Sequence, residues 1–186
     1  MIDRDDAVRI RPATADDAPV VGAIWRDGWR DGHLGHVPEE LVAIRTPESF
    51  DLRAAQRVDE TTVAEVDGAV AGFVMVAADE VEQVYVAAEQ RGTGVAGALL
   101  AEGLRQVGAN GHDRAWLAVA GGNGRARRFY ERQGWTDEGA FDYPARTSGG
   151  PVAVPCHRYT HAACPRSAAT SEDHDDLARA VAGTPE

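Results

Sequence analysis

There is no lysine in this chain of 186 residues: all 19 basic side chains are arginine, set against 30 aspartates and glutamates. A nucleotide-hydrolase loop of the form G-x-x-x-x-G-K-[ST] is thereby excluded, because its lysine reaches the phosphates. The net charge of -11 also sets nucleic acid aside as a partner, since a phosphate backbone is bound by a cationic surface. A small cation would be steered toward such a protein instead. Cysteine is nearly as scarce: Cys156 and Cys164 are the only two, so no disulfide framework is relied upon, as suits a reducing compartment. No apolar run approaches the roughly 18 to 20 residues of a membrane span, and the opening Met1-Ile2-Asp3-Arg4-Asp5-Asp6 is too polar for a secretory leader. A cytoplasmic protein with no membrane partner is expected.

What is present is enough for one full-sized domain. The length, with 44% hydrophobic and 26% charged residues, is that of a single globular unit rather than two. The chain is organised around residues 81–109. Val81, Val84, Tyr85 and Val86 form a β-branched and aromatic run suited to a buried strand. After Arg91-Gly92-Thr93-Gly94 the period changes. Ala96, Leu99, Leu100, Gly103, Leu104 and Val107 then share one helical face, which Gly108 and Asn110-Gly111 bring to an end. A strand, a glycine turn and a helix in succession make an anion cradle, because backbone N–H groups at a helix N-terminus favour negative charge and bare Cα atoms let a ligand approach. Gly92, Gly94 and Gly97 satisfy the dinucleotide spacing G-x-G-x-x-G, but no βαβ series follows and the strand lies far from the start of the domain.

The remaining elements follow from local pattern. Residues 8–11 alternate as a first strand, and Thr14 or Asp16 caps a helix whose face holds Ala18, Val21, Ile24, Trp25 and Gly28. Residues 29–38, WRDGHLGHVP, are punctuated by glycine and are expected to form a loop, and residues 47–57 a second helix. Strands at 61–66 and 69–77 flank Asp67-Gly68, a type I′ hairpin signal. Asp79 and Glu80 are expected to be turn residues leading into the central strand. A strand at 114–120, a helix carrying Ala126, Phe129 and Tyr130 that Gly134 terminates, a strand from Trp135, a polar turn at 144–151 and a strand at 152–159 complete the domain. Residues 1–7 are expected to be an extension, 8–160 the domain and 161–186 an acidic tail outside it.

Two motifs in order resemble the GNAT superfamily of N-acetyltransferases. Arg91-Gly92-Thr93-Gly94-Val95-Ala96 is similar to its coenzyme A loop, Q/R-x-x-G-x-G/A. Asn123, Ala126, Tyr130, Gly134 and Trp135 are similar to its N-x-x-A-x-x-x-Y-x-x-x-G-[FW] pattern. The resemblance implies a mixed α/β (α+β) fold in one domain, a central, mostly antiparallel sheet flanked by helices. It implies acetyl-CoA as the acyl donor, a primary amine of a small molecule or peptide as the acceptor, and direct attack in a ternary complex. Since members commonly pair, a homodimer is compatible with it.

The resemblance also implies roles. A main-chain N–H in Val84-Tyr85-Val86 would bond the thioester oxygen, Tyr130 would protonate the departing thiolate, and Glu82 would take the ammonium proton. Asn123 would bond the pantetheine arm, and Arg91 would reach a phosphate. Trp25, Trp29, His33 and His36 would line the acceptor pocket. The residues taken alone leave other roles open: Tyr130 as a core aromatic beside Phe129, Glu82 on a solvated face, Asn123 as a helix cap, Arg91 as a turn arginine, and the tryptophans folded onto the core. No metal is expected, because neither His33-x-x-His36 nor the Cys156, His157, His161, Cys164 set has a zinc spacing. A second function class also stands: a coenzyme-binding sensor or partner-binding domain of the same fold with little catalysis.

Overall fold

The computed structural model describes residues 8–164, so most of the acidic tail expected from residue 161 lies outside the described residues. The elements are β1 (Arg9–Pro12), α1 (Ala18–His33), α2 (Glu39–Ile44), α3 (Pro47–Gln56), β2 (Thr61–Val66), β3 (Ala69–Ala77), β4 (Glu80–Val86), α4 (Val95–Ala109), β5 (Arg114–Ala120), α5 (Gly124–Arg132), β6 (Thr136–Ala145) and β7 (Val152–Ala162). The seven strands form one sheet in the order β1-β2-β3-β4-β5-β7-β6. Neighbours are antiparallel except β4 and β5, which are parallel. The mixed α/β fold expected from the sequence is the one observed.

Helices cover both faces. On one, Leu99, Leu100, Leu104 and Val107 of α4 are buried against Val74, Val81, Leu117 and Val119, and Ala126, Phe129 and Tyr130 of α5 pack beside them. On the other, Val21, Ile24, Trp25 and Trp29 of α1 join Phe50 and Ala54 of α3 over Val63, Phe73 and Met75. Each fully buried leucine contributes about 1.5–3 kcal/mol of apolar transfer. That two-sided burial is why β3 is apolar almost throughout rather than alternating.

A bulge in β4 decides what faces where. Met75 pairs Gln83 and the next residue of β3, Val76, pairs Val81, so Glu82 is an extra residue on β4. Simple alternation would send Val81 and Val84 to opposite faces, yet both pack against the α4 core. The inserted residue restores the phase. Glu80, Glu82 and Tyr85 consequently share the α1 side.

Four local expectations change. The segment 29–33 is the last turn of α1 rather than loop, because Gly28 and Gly32 are close-packing positions: a Cβ would lie 2.4 Å from Tyr85 Cδ1 at one and 2.8 Å from Asn123 Nδ2 at the other. The loop shrinks to residues 34–38, and the short α2, unannounced by any periodic pattern, follows it. Glu80 belongs to β4, leaving Ala78 and Asp79 as the turn. Strands β6 and β7 run on to Ala145 and Ala162, past the boundaries read from Pro144 and Tyr159. The Asp67-Gly68 hairpin is as expected, with φ of 52° and 76°.

Candidate active site

Strands β4 and β5 share a single register pair, Glu80 with Trp116. Beyond it they diverge, and the sheet opens into a cavity of about 800 Å³ lined from β4, β5, α1, α4 and α5. The amide of Ala87 donates to Ala71 of β3 at 2.9 Å. By strand alternation Tyr85 also turns its main-chain groups toward β3, whereas Val84 and Val86 turn theirs toward the gap. Both valines line the cavity. The stretch singled out as a thioester-oxygen donor therefore has two N–H groups aimed at the opening, from Val84 and Val86.

At one end of the cavity stands the glycine turn. Gly92 has φ of 82° and Gly94, the residue preceding α4, has φ of 98°, with open space where either Cβ would be. Left-handed backbone explains glycine at both positions, and the first-turn N–H groups of α4 face out from the helix end. Gly92, Gly94 and Ala96 line the cavity; Thr93 and Val95 do not. The Thr93 hydroxyl donates to the Gln90 carbonyl at 2.7 Å, and Val95 is wholly buried in the core, so Val95 can reach a ligand only through its main chain. Arg91 lines the mouth but is ion-paired with Asp31 of α1 at 2.8 Å. Diphosphate fits a cradle of this kind, with main-chain donors as the principal contacts.

Helix α5 forms the opposite wall. The Asn123 side chain accepts the Ala126 N–H at 3.1 Å, capping the helix, and Asn123 also lines the cavity. The cap and a ligand contact are compatible. Tyr130 lies among Phe129, Trp135 and Tyr159, with ring centroids 5.3 to 6.1 Å away. Burial pushes its phenol up to about 12, which keeps the hydroxyl protonated and available as a donor at neutral pH.

The far end is enclosed by α1, α3, β4 and β6. Trp25 is fully buried against Phe50 and Phe73, with the Arg53 guanidinium 4.2 Å over its ring. It supports the chamber from beneath more than it walls it. Trp29 is buried as well, and its ring stacks on His33 at 5.0 Å. His33 Nδ1 bonds the Trp29 carbonyl at 3.0 Å, and burial pushes the imidazole down to about 4. It is neutral at pH 7, with Nδ1–H as donor and Nε2 left as an acceptor. His36 packs on Gly122, where a Cβ would stand 2.0 Å from its Nδ1.

Two carboxylates line the chamber. Glu82 is held by the Arg57 guanidinium in an ion pair. Glu80 differs: burial raises its carboxyl to about 7, with the Glu82 charge adding to the rise and Tyr143 opposing it. A carboxyl poised there exchanges protons at working pH. Sequence reasoning placed Glu80 in a turn and so missed it. Arg53 and Tyr143 were missed as site residues too, since neither lies in a motif that marks a ligand.

A split between a parallel strand pair, a main-chain anion cradle and a buried phenol across the gap together make a site open to a ligand with an anionic end. The sequence model of the Acetyltransferase (GNAT) family matches residues 24–135, and the chain belongs to that family. Its fold is that of an N-acetyltransferase from Rhodopseudomonas palustris (21% identity, TM-score 0.67, 83% of this chain and 95% of that one). It is also similar to the PaiA N-acetyltransferase of Thermoplasma acidophilum, solved in complex with coenzyme A (17%, 0.61, 84% and 99%), and to yncA of Salmonella typhimurium, solved with acetyl-CoA (15%, 0.62, 88% and 98%). No curated protein sequence matches the chain. Among the described residues no helix is long and apolar enough to cross a membrane.

Proposed function

We propose that the protein moves the acetyl group of acetyl-CoA to a primary amine by direct attack in a ternary complex, with Glu80 as the base and Tyr130 as the acid. The observation that carries this reading is a carboxyl and a phenol lining one cavity, both raised by burial but to well-separated values. Glu80 titrates near neutrality, and Tyr130 stays protonated well above it.

Acetyl-CoA supplies an activated acyl carbon when its diphosphate lies on the Gly92–Gly94 turn. Glu80 takes one proton from the acceptor ammonium, freeing the nitrogen lone pair. The nitrogen bonds to the carbonyl carbon, and the oxygen gains negative charge that the Val84 and Val86 N–H groups receive; one such donor is worth about 3 kcal/mol. As the C–S bond breaks, the sulfur keeps the electron pair and Tyr130 protonates it, while the new amide nitrogen loses its second proton to solvent. Glu82 and Arg57 hold charge of both signs beside Glu80, and the Asn123 side chain lies along the coenzyme arm. Trp29 and His33 supply the acceptor wall.

Amine-dependent thiol release by the purified chain, measured over a panel of primary amines, tests this. Release that saturates with both substrates supports transfer. Saturable acetyl-CoA binding with no amine-dependent release would leave the sensor reading in its place.

A further inference from the structure

Six arginines line the cavity, in two groups. Arg91, Arg125 and Arg132 stand on the loop and helix that hold the coenzyme end. Arg45, Arg53 and Arg146 stand at the other end, where Arg45 and Arg53 act on Tyr85 and Arg146 acts on Glu80. The coenzyme's phosphates explain the first group; nothing yet described explains the second.

Arg53 is the centre of that second group. It projects from α3 one turn beyond Phe50, half-buried, its guanidinium stacked on the fully buried Trp25 ring. Among the described residues no carboxylate lies within ion-pair distance of Arg53 or Arg45, and no acceptor takes a hydrogen bond from Arg53. None of its nitrogens is sealed away without a partner, since Trp25 Nε1 is the one such buried atom among the described residues; they reach the open cavity. Burial together with the charges of Arg45 and Arg57 opposes protonation of Arg53, and the smaller opposing effects of Glu82 and Tyr85 do not offset them. Confined like charges cost free energy. Such a cluster in a chain of net charge -11 is unexplained unless an anion completes it. Glu82 acts on Arg53 only at a distance, since its ion pair is with Arg57.

We propose that the acceptor is an amino-carboxylic acid, its carboxylate held by Arg53 with Arg45 and its amine presented to Glu80. This deepens the acetyltransferase reading and rests on it. A planar guanidinium fixed against a ring offers a fork of donors that matches the two oxygens of a carboxylate. The cluster and the Glu80–Glu82 pair then give one chamber a cationic pole and an anionic pole, the complement of a zwitterion.

The test is a panel of matched acceptors, free amino acids against their carboxamides, with phosphoethanolamine against ethanolamine as a further pair. The free acids are expected to exceed their carboxamides in kcat/KM by roughly 10- to 100-fold, chiefly through KM. In Arg53→Met that ratio collapses toward one, and Arg53→Lys keeps part of it. Acetyl-CoA titration of both variants establishes that the coenzyme site is intact, and Arg45→Met is expected to lower the ratio in the same direction. Equal or better turnover of the carboxamides, a ratio unchanged in Arg53→Met, or preference for the phosphorylated amine would overturn the carboxylate assignment while leaving acetyl transfer standing. Acetyl-CoA binding with no amine in the panel acetylated would overturn the transferase reading itself, and this assignment with it.

Discussion

Gly28 of α1 lies directly against the ring of Tyr85 on β4: a methyl group in place of its hydrogen would stand 2.4 Å from Cδ1. The contact sets how closely α1 approaches the sheet, and with it the depth of the cavity that both residues line. Tyr85 also packs beside Phe73, its cross-strand partner on β3, at a centroid distance of 5.8 Å, so the ring has little freedom to yield. Gly28→Ala is therefore expected to destabilise the fold by about 1–3 kcal/mol, lowering Tm by roughly 3–10 °C. It should also raise KM for the acceptor more than it lowers acetyl-CoA affinity. A thermal scan with initial-rate kinetics checks both.

Glu80 ties activity and stability in opposite directions. Its folded carboxyl is raised to about 7, above the ordinary glutamate value of about 4.3. The native state therefore favours the protonated form, and stability is lost as pH climbs from the unfolded value through the folded one. Glu80→Gln is expected to lower kcat/KM roughly 100-fold at pH 7 and to abolish the rise in rate across pH 6 to 8. The same variant should melt higher than wild type at pH 8, with the difference closing toward pH 4. Rate profiles and thermal scans over that range decide it; a glutamine variant with an unchanged pH profile would remove Glu80 as the base.

Tyr130 separates chemistry from binding. With its phenol held protonated by burial, Tyr130→Phe removes the donor and keeps the ring packed among Phe129, Trp135 and Tyr159. Turnover is expected to fall roughly 100-fold while the dissociation constant for acetyl-CoA, measured by calorimetry, stays close to wild type.

The start of the domain has its own acid sensitivity. Asp17 accepts from Arg11 at 2.7 and 2.9 Å and from the Thr14 N–H at 2.7 Å, and those contacts hold its carboxyl well below the usual range. A depressed folded value gives stability that is present above the unfolded value, near 3.9, and is lost as pH falls. Asp17→Ala is expected to cost about 1–3 kcal/mol at pH 7, and the gap from wild type to narrow below pH 4. Urea titrations at several pH values read it.

The residues proposed for the coenzyme half could be named from the sequence because they are local. Gly92, Gly94 and the α4 stripe are neighbours in the chain, and Asn123 and Tyr130 belong to one helix, the first as its cap. Of the proposed acceptor half, Trp29 and His33 were named from the sequence, whereas Glu80, Arg53 and Tyr143 were not, since those groups meet only through the tertiary fold. Glu80 gains its character from burial beside Tyr143 of β6, and Arg53 from Trp25 of α1. The bulge at Glu82 breaks the period-two pattern that would have shown which side chains share a face. Residues 29–33 were misread for a related reason: glycine marks a helix interior as well as a loop when a neighbouring chain comes close, and Tyr85 and Asn123 come from far along the sequence.

Direct transfer from coenzyme to amine is tested most plainly by a single-turnover experiment. The purified chain is loaded with acetyl-CoA carrying a deuterated acetyl group, mixed with an accepted amine, quenched at intervals and read by mass spectrometry. Transfer in a ternary complex predicts that the label leaves the coenzyme and arrives on the acceptor nitrogen at the same rate, with the protein unlabelled at every time. Label accumulating on a protein side chain, or remaining on the coenzyme in the presence of bound amine, would contradict it.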